Sequence, residues 1–241
     1  TGVVAGDAFG ASVAISSGTI AVGAPGRDGS GTDRGAIFVF TGGGTSYTQS
    51  AELTALPPGN GIDSSSEFLG RAVALQGTRL VAGLPGRNGI MNAPDRGGFV
   101  IYQQTGGTFQ ELAAVTGPST NEGFGEAVAI DGDRIAVGAP GHLLGGSAVT
   151  SGSVRTYAYD GSQWVFDATL TLSGGAVGDD FGASLALESD VLVVGAPGRA
   201  NGAATTAGTA IPFLRSSAGW IAQTALVPPA ADVTSGDDYG R

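Results

Sequence analysis

The chain contains no cysteine, which excludes disulfides and thiolate metal sites. It contains no lysine either: all eleven basic residues are arginine. Charged residues fill only 13% of the 241 positions, about half the usual share. With 21 acidic side chains the net charge is −10, and the basic patch that a nucleic-acid partner requires is missing. No run of eighteen apolar residues occurs, so no transmembrane helix is expected. The only histidine, His142, rules out a two-histidine metal site and confines any Ser-His-Asp triad to that one position. Residue 1 is threonine instead of an initiator methionine, as expected of a processed or excised chain.

Glycine, by contrast, is abundant at 44 residues, far above the average of about 7% and without the three-residue period of collagen. Apolar residues make up 41% and fall in short runs between Gly-rich turns, which predicts many short strands. The length accommodates one large all-β domain or two smaller ones.

One phrase recurs four times. Phe9-Gly10 is followed by Gly23-Ala24-Pro25-Gly26, and Leu69-Gly70 by Gly83-Leu84-Pro85-Gly86. Phe124-Gly125 is followed by Gly138-Ala139-Pro140-Gly141, and Phe181-Gly182 by Gly195-Ala196-Pro197-Gly198. The first glycines stand at 10, 70, 125 and 182, a period that marks a solenoid, propeller or array. A fifth copy opens at Tyr239-Gly240. The repeats run over approximately 7–63, 64–119, 120–176 and 177–234, with 235–241 starting a fifth.

Each copy predicts four strands. Strand A alternates small and aliphatic residues, as in Ser12-Val13-Ala14-Ile15 and Ala127-Val128-Ala129-Ile130, a period-two signal that suits a strand buried on both faces. A four-residue connection leads to strand B, such as Ile135-Ala136-Val137, which the turn proline ends because it cannot donate to a ladder. Strand C follows at residues 37–40, 99–102, 154–157 and 210–213, the last expected to be irregular at Pro212. Strand D opens on an aromatic column, Tyr47, Phe109, Trp164 and Trp220, better suited to packing between sheets than to a sugar platform. Four antiparallel strands per repeat make one blade of a β-propeller, so the fold class is all-β, a propeller of four such blades or part of a larger one.

These residues resemble the FG-GAP repeat, the unit of the propeller in integrin α-subunits and in many secreted bacterial proteins. The resemblance implies an extracellular or cell-surface setting and ligand binding by loops on one rim. It also implies calcium in the A–B hairpins through an Asp-x-Asp-x-Asp-Gly loop. Here only Asp131 and Asp133 fit that pattern, and two carboxylates in so tight a turn fall short of the six or more ligands calcium takes. No metal and no cofactor are therefore expected. Integrin-like propellers have seven blades, so a closed four-blade ring, part of a longer propeller and two chains completing one ring all stay open, the second being favoured.

Two charged columns flank the recurrent turns. An acid lies three residues before each first glycine: Asp7, Glu67, Glu122, Asp179 and, in the fifth copy, Asp237. A base lies two residues after each turn proline: Arg27, Arg87, His142 and Arg199. The columns are expected to pair with each other at one rim; a ring of cations holding an anionic ligand is the alternative. Asp28 and Asp33 are read as part of a solvated loop, with a cation site as the alternative. No pair of carboxylates stands out as a glycosidase pair. The loops over 27–34, 88–96, 143–151 and 200–207 vary while the hairpins beside them do not, the arrangement of adaptable contacts on a fixed scaffold.

The expected function is non-enzymatic binding or adhesion, secreted or on the cell surface, with a protein or glycan ligand at the loop rim. Self-association through open blade edges is a further expectation. A structural subunit of a surface layer or filament is the second reading, and a polysaccharide-acting enzyme the third.

Overall fold

The computed structural model describes residues 2–29, 31–55, 65–88, 95–141, 150–200, 206–227 and 236–241. The chain divides into two compact units, Thr1–Thr120 with Phe124–Glu126, and Asn121–Gly123 with Ala127–Arg241.

The first unit carries two sheets. One consists of β1 (Ser12–Ser16), β2 (Thr19–Ala24), β3 (Ala36–Gly43) and β4 (Ser46–Leu53), and the other of β5 (Val73–Gln76), β6 (Arg79–Gly83), β7 (Gly98–Thr105) and β8 (Thr108–Thr116). The second unit repeats the plan. Its sheets are β9 (Ala127–Asp131), β10 (Arg134–Ala139), β11 (Ser153–Tyr159) and β12 (Trp164–Thr171), then β13 (Leu185–Glu188), β14 (Val191–Ala196), β15 (Thr209–Ser216) and β16 (Gly219–Ala222). Each is a four-stranded meander in sequence order, antiparallel throughout. This is the architecture of a propeller blade.

Local chemistry explains the meander. The A–B connections close on pairs such as Ser16↔Thr19 and Asp131↔Arg134, so two of the four expected connecting residues belong to the strands. In the first hairpin the two turn residues, Ser17 and Gly18, both take positive φ, which matches the twist of the flanking strands. The C–D ladders of the first three blades shift register at one shared place, after Val39, Ile101 and Thr156. Pro212 occupies that place in the fourth blade. There β15 stays in unbroken register with β14, while β16 ends opposite Phe213. The expected irregularity therefore falls on strand D, not on the strand that holds the proline.

Within each unit the core lies between the blades. In the first, Ala21, Ile37, Val39 and Leu53 of one sheet meet Val73, Leu80, Val100 and Tyr102 of the next. In the second, Ala129, Ala136, Val154 and Leu170 meet Leu192, Val194, Ile211 and Phe213. The aromatic column divides accordingly. Phe109 and Trp220 pack on these cores, whereas Tyr47 is exposed. Strand A is also less uniform than its sequence pattern. Ala127–Ile130 are buried on both faces, but Val13 and Ile15 of β1 are 68% and 67% exposed. The corresponding face of β5 is the one covered by the first blade.

Glycine makes the seam between blades. Gly70 and Gly182 have φ of +85° and +98°, a region that L side chains rarely enter. Their carbonyls lie against Gly23 and Gly138, where a Cβ would collide with them. The residue before each forms a parallel bridge to the preceding blade, Gly35↔Leu69 and Gly152↔Phe181. The Ser12 hydroxyl donates to Gly70 O at 2.7 Å.

Candidate functional site: paired charges and a cleft on the rim

In the first, second and fourth repeats the recurrent turns put the acid beside the base of its own repeat. In the first repeat Arg27 Nη1 lies 3.2 Å from Asp7 Oδ2, and the same oxygen accepts the Val4 N–H at 2.9 Å. Arg27 Nε also donates to Glu52 Oε1 at 3.2 Å, which together with Asp7 raises the arginine pKa further. In the fourth repeat Arg199 Nη1 lies 2.7 Å from Asp179 Oδ2, which accepts the Ala176 N–H at 2.9 Å. Two repeats thus use one device: the carboxylate ties down the segment entering the Phe-Gly turn, and the guanidinium joins it to the Gly-Ala-Pro-Gly turn. Arg199 also donates to Gly174 O at 3.0 Å.

The second repeat is a buried variant. Glu67 is almost fully buried and meets Arg34 of the preceding blade, Oε2 to Nη2 at 2.9 Å, with Arg87 Nε 3.8 Å from Oε1. Arg34 further donates to Ala55 O. Burial pushes the Glu67 carboxyl above its ordinary value, against the pull of Arg34 and Arg87, and pushes the neighbouring Tyr102 phenol up strongly. In the third repeat Glu122 is half-buried and its main-chain carbonyl accepts the Gly141 N–H; His142 lies outside the described residues. Among the described residues, then, Arg27, Arg87 and Arg199 each stand against an acid of their own repeat. The chemistry available there is bracing of turns.

The sequence does not single out Arg34. Its signal is faint: an arginine directly precedes a glycine in two repeats, Arg34-Gly35 and Arg96-Gly97, and Arg96 donates to Gly117 O at 2.8 Å. Asp167 was likewise unmarked. It accepts from Thr156 Oγ1, Arg215 Nη2 and Trp220 Nε1 at 3.1, 3.0 and 3.1 Å, joining the two blades of the second unit.

Two of the carboxylates considered as metal ligands, Asp131 and Asp28, are engaged with main chain. Asp131 Oδ2 accepts the Ser189 N–H of the next blade at 2.6 Å, as Ser16 Oγ accepts the Gly77 N–H at 2.9 Å. Asp28 Oδ1 accepts the Asp33 N–H at 3.0 Å, and Asn88 Oδ1 the Asp95 N–H at 3.0 Å. Among the described residues no three His, Asp or Glu side chains gather at one point.

The second unit also holds a cleft of about 350 Å³ at the Arg199 rim, between its two blades. Ile211 and Phe213 form an apolar base, and Leu172, Ser173, Arg199 and Gln223 surround it. Its lining is balanced between apolar and polar groups, with one ion-paired charge.

Sheet order, the recurrent turns and the glycine seams together define a repeat protein of propeller blades. The chain matches the FG-GAP repeat over residues 2–40, 110–157 and 164–210, more than half its length, and it belongs to that family. The second hairpin, with Leu69 in place of phenylalanine, falls outside the matched stretches, yet it folds as the same blade. No curated protein matches the chain. Among the described residues no helix is long and apolar enough to cross a membrane.

Proposed function

We propose that the chain is a non-enzymatic binding module of an extracellular or cell-surface protein, and that it takes a protein or glycan segment in the cleft beside Arg199. The observation that carries this reading is the cleft itself, concave, apolar at its base and edged by a few polar groups, the usual make-up of a ligand site. Because Asp179 already neutralises Arg199, the site favours a neutral polar ligand over a strongly anionic one. Membership of the FG-GAP family supports an extracellular setting. The engagement of Asp131 with the Ser189 amide supports binding that is independent of calcium.

The test is a glycan and matrix-protein array probed with the parent chain and with Ala225→Trp, a substitution in the cleft wall. The expected result is a calcium-independent signal that Ala225→Trp abolishes without changing the melting temperature. A signal that survives the blocked cleft, or depolymerisation of an acidic polysaccharide in place of binding, overturns the reading. A second reading, a subunit of a surface assembly, is favoured by the exposed Val13 and Ile15 on the first blade. Particles that grow with concentration in light scattering would bring it forward.

A further inference from the structure

Column for column, the base of the cleft beside Arg199 recurs on the third blade with different chemistry. In the fourth blade Ile211 and Phe213 stand opposite Val194 and Leu192, and Ala222 stands opposite Phe213. All three line the cleft. In the third blade the same ladder positions hold Arg155 and Tyr157, opposite Val137 and Ile135, and Phe166, opposite Tyr157. The first and second blades have Phe38 and Val100 where the third has Arg155, so one blade of the four puts a charge in this column. A charge set into an otherwise apolar column is the kind of local departure that functional sites carry.

What holds Arg155 is aromatic. Its Cζ lies 5.0 Å from the centroid of the Phe166 ring, inside cation–π range, and its guanidinium hydrogen-bonds the Tyr157 hydroxyl. No carboxylate among the described residues pairs with it, although Arg27, Arg71, Arg134, Arg199 and Arg215 each lie 2.6–3.2 Å from one. Arg215 gives the nearest comparison. It stacks over Trp220 at 5.8 Å and donates to Asp167 Oδ1 at 3.0 Å, so there the chain supplies both the ring and the acid. At Arg155 it supplies the ring alone. A guanidinium stays charged throughout the accessible pH range, and its planar fork takes a carboxylate through two parallel bonds.

The rings extend past the cation. Tyr159 pairs with Trp164 two positions beyond Tyr157 and Phe166, on the same face, about 7 Å further along the strands. Tyr157 meets Phe166 edge-on with centroids 6.0 Å apart, and Tyr159 meets Trp164 at 5.5 Å. Phe166 is 51% exposed, and Arg155, Tyr159 and Trp164 are half-buried, so the row presents ring surface to solvent. The main chain of β11 is committed to both neighbouring strands. A peptide laid across this face would leave its own N–H and C=O groups without partners. A sugar ring brings C–H faces that lie against aromatic rings, and a uronate adds the carboxylate.

We propose that Arg155, Tyr159, Trp164 and Phe166 form a second binding site, and that it takes a uronic acid residue of an acidic glycan. The carboxylate meets the Arg155 fork while the pyranose ring lies on the aromatic row. The site differs from the cleft beside Arg199 in the charge of its ligand, because Asp179 already neutralises Arg199. Neutral glycans therefore report on the cleft and uronates on Arg155.

The test is calorimetric titration of the chain with short oligomers of galacturonate, glucuronate and mannuronate, each as free acid and as methyl ester. At least one free acid is expected to bind, and its ester to bind at least about 10-fold more weakly. Arg155→Gln is expected to weaken the acid about 10- to 100-fold, the loss of a hydrogen-bonded charge. Failure of every free acid to bind, an ester that binds as well, or parent affinity in Arg155→Gln overturns the proposal. A short aspartate-rich peptide that binds more tightly than every uronate, and loses that binding in Arg155→Gln, assigns the face to a protein partner and also overturns it. Should Arg155→Gln fail to fold, Phe166→Ala decides, since that ring is half exposed. Weaker binding of the free acid by the folded variant supports the site, and unchanged affinity overturns it.

Discussion

Replacing Gly23 with alanine tests whether the blades are joined through main chain. The φ of Gly23 is ordinary, so the substitution carries no left-handed strain, only a question of space. An added Cβ would lie 2.8 Å from the carbonyl carbon of Gly70 and nearer still to its oxygen and to Ser12 Oγ. Carbon atoms rest at about 3.5–4.0 Å, so the seam must open by roughly 1 Å. Overpacking of this kind costs about 1–3 kcal/mol. Opening also strains the bond from Ser12 Oγ to Gly70 O, 2.7 Å long, which contributes about 1 kcal/mol. The sum is a loss of roughly 2–4 kcal/mol, which at about 2–4 °C per kcal/mol lowers the melting temperature by some 5–15 °C. The control is Gly43→Ala, in the same sheet and with nothing within 4 Å of the new Cβ, expected to stay within about 0.5 kcal/mol of the parent. Scanning calorimetry of the three proteins suffices. If Gly23→Ala melts with Gly43→Ala, the seam is not set by main-chain contact and the reasoning is wrong.

Arg34→Met leaves Glu67 buried with a weaker partner and is expected to lose about 3 kcal/mol at pH 7 by urea unfolding. The folded pKa of Glu67 is raised, so its proton-linked contribution is fully present below the ordinary carboxylate value and disappears as pH climbs through the raised one. The deficit of Arg34→Met should therefore shrink at pH 4, and an equal deficit at both pH values refutes the assignment. Asp167→Ala removes the shared acceptor of Thr156, Arg215 and Trp220. A loss of about 2 kcal/mol is expected, with a red shift in tryptophan emission; unchanged emission would show that the Trp220 bond does not hold in solution.

The fold was legible because its joints are glycine. Gly70 needs positive φ and Gly23 needs the absence of a Cβ, and each demand returns once per blade, so sequence period and structure coincide. The Asp7–Arg27 and Asp179–Arg199 pairs were readable for the same reason, since both partners lie at fixed offsets from those joints. Arg34 and Asp167 were not. Each is chosen by neighbours on an adjacent blade more than thirty residues away, and such choices leave no period. The doubly buried pattern expected of strand A misled for β1. Alternation of small and aliphatic residues records what a strand can pack against, while Val13 and Ile15 show that here one side has no cover among the described residues.

A joint composed of carbonyl oxygens against bare α-carbons carries no side-chain identity that its two halves must match. The main-chain part of the seam therefore recurs unchanged from repeat to repeat, while the side chains beside it, such as the Arg34–Glu67 pair of one seam and the Asp167 network of the other, differ. Variation is then free to accumulate in the loops between strands B and C, where it alters what is held at the rim without disturbing what holds the blades together.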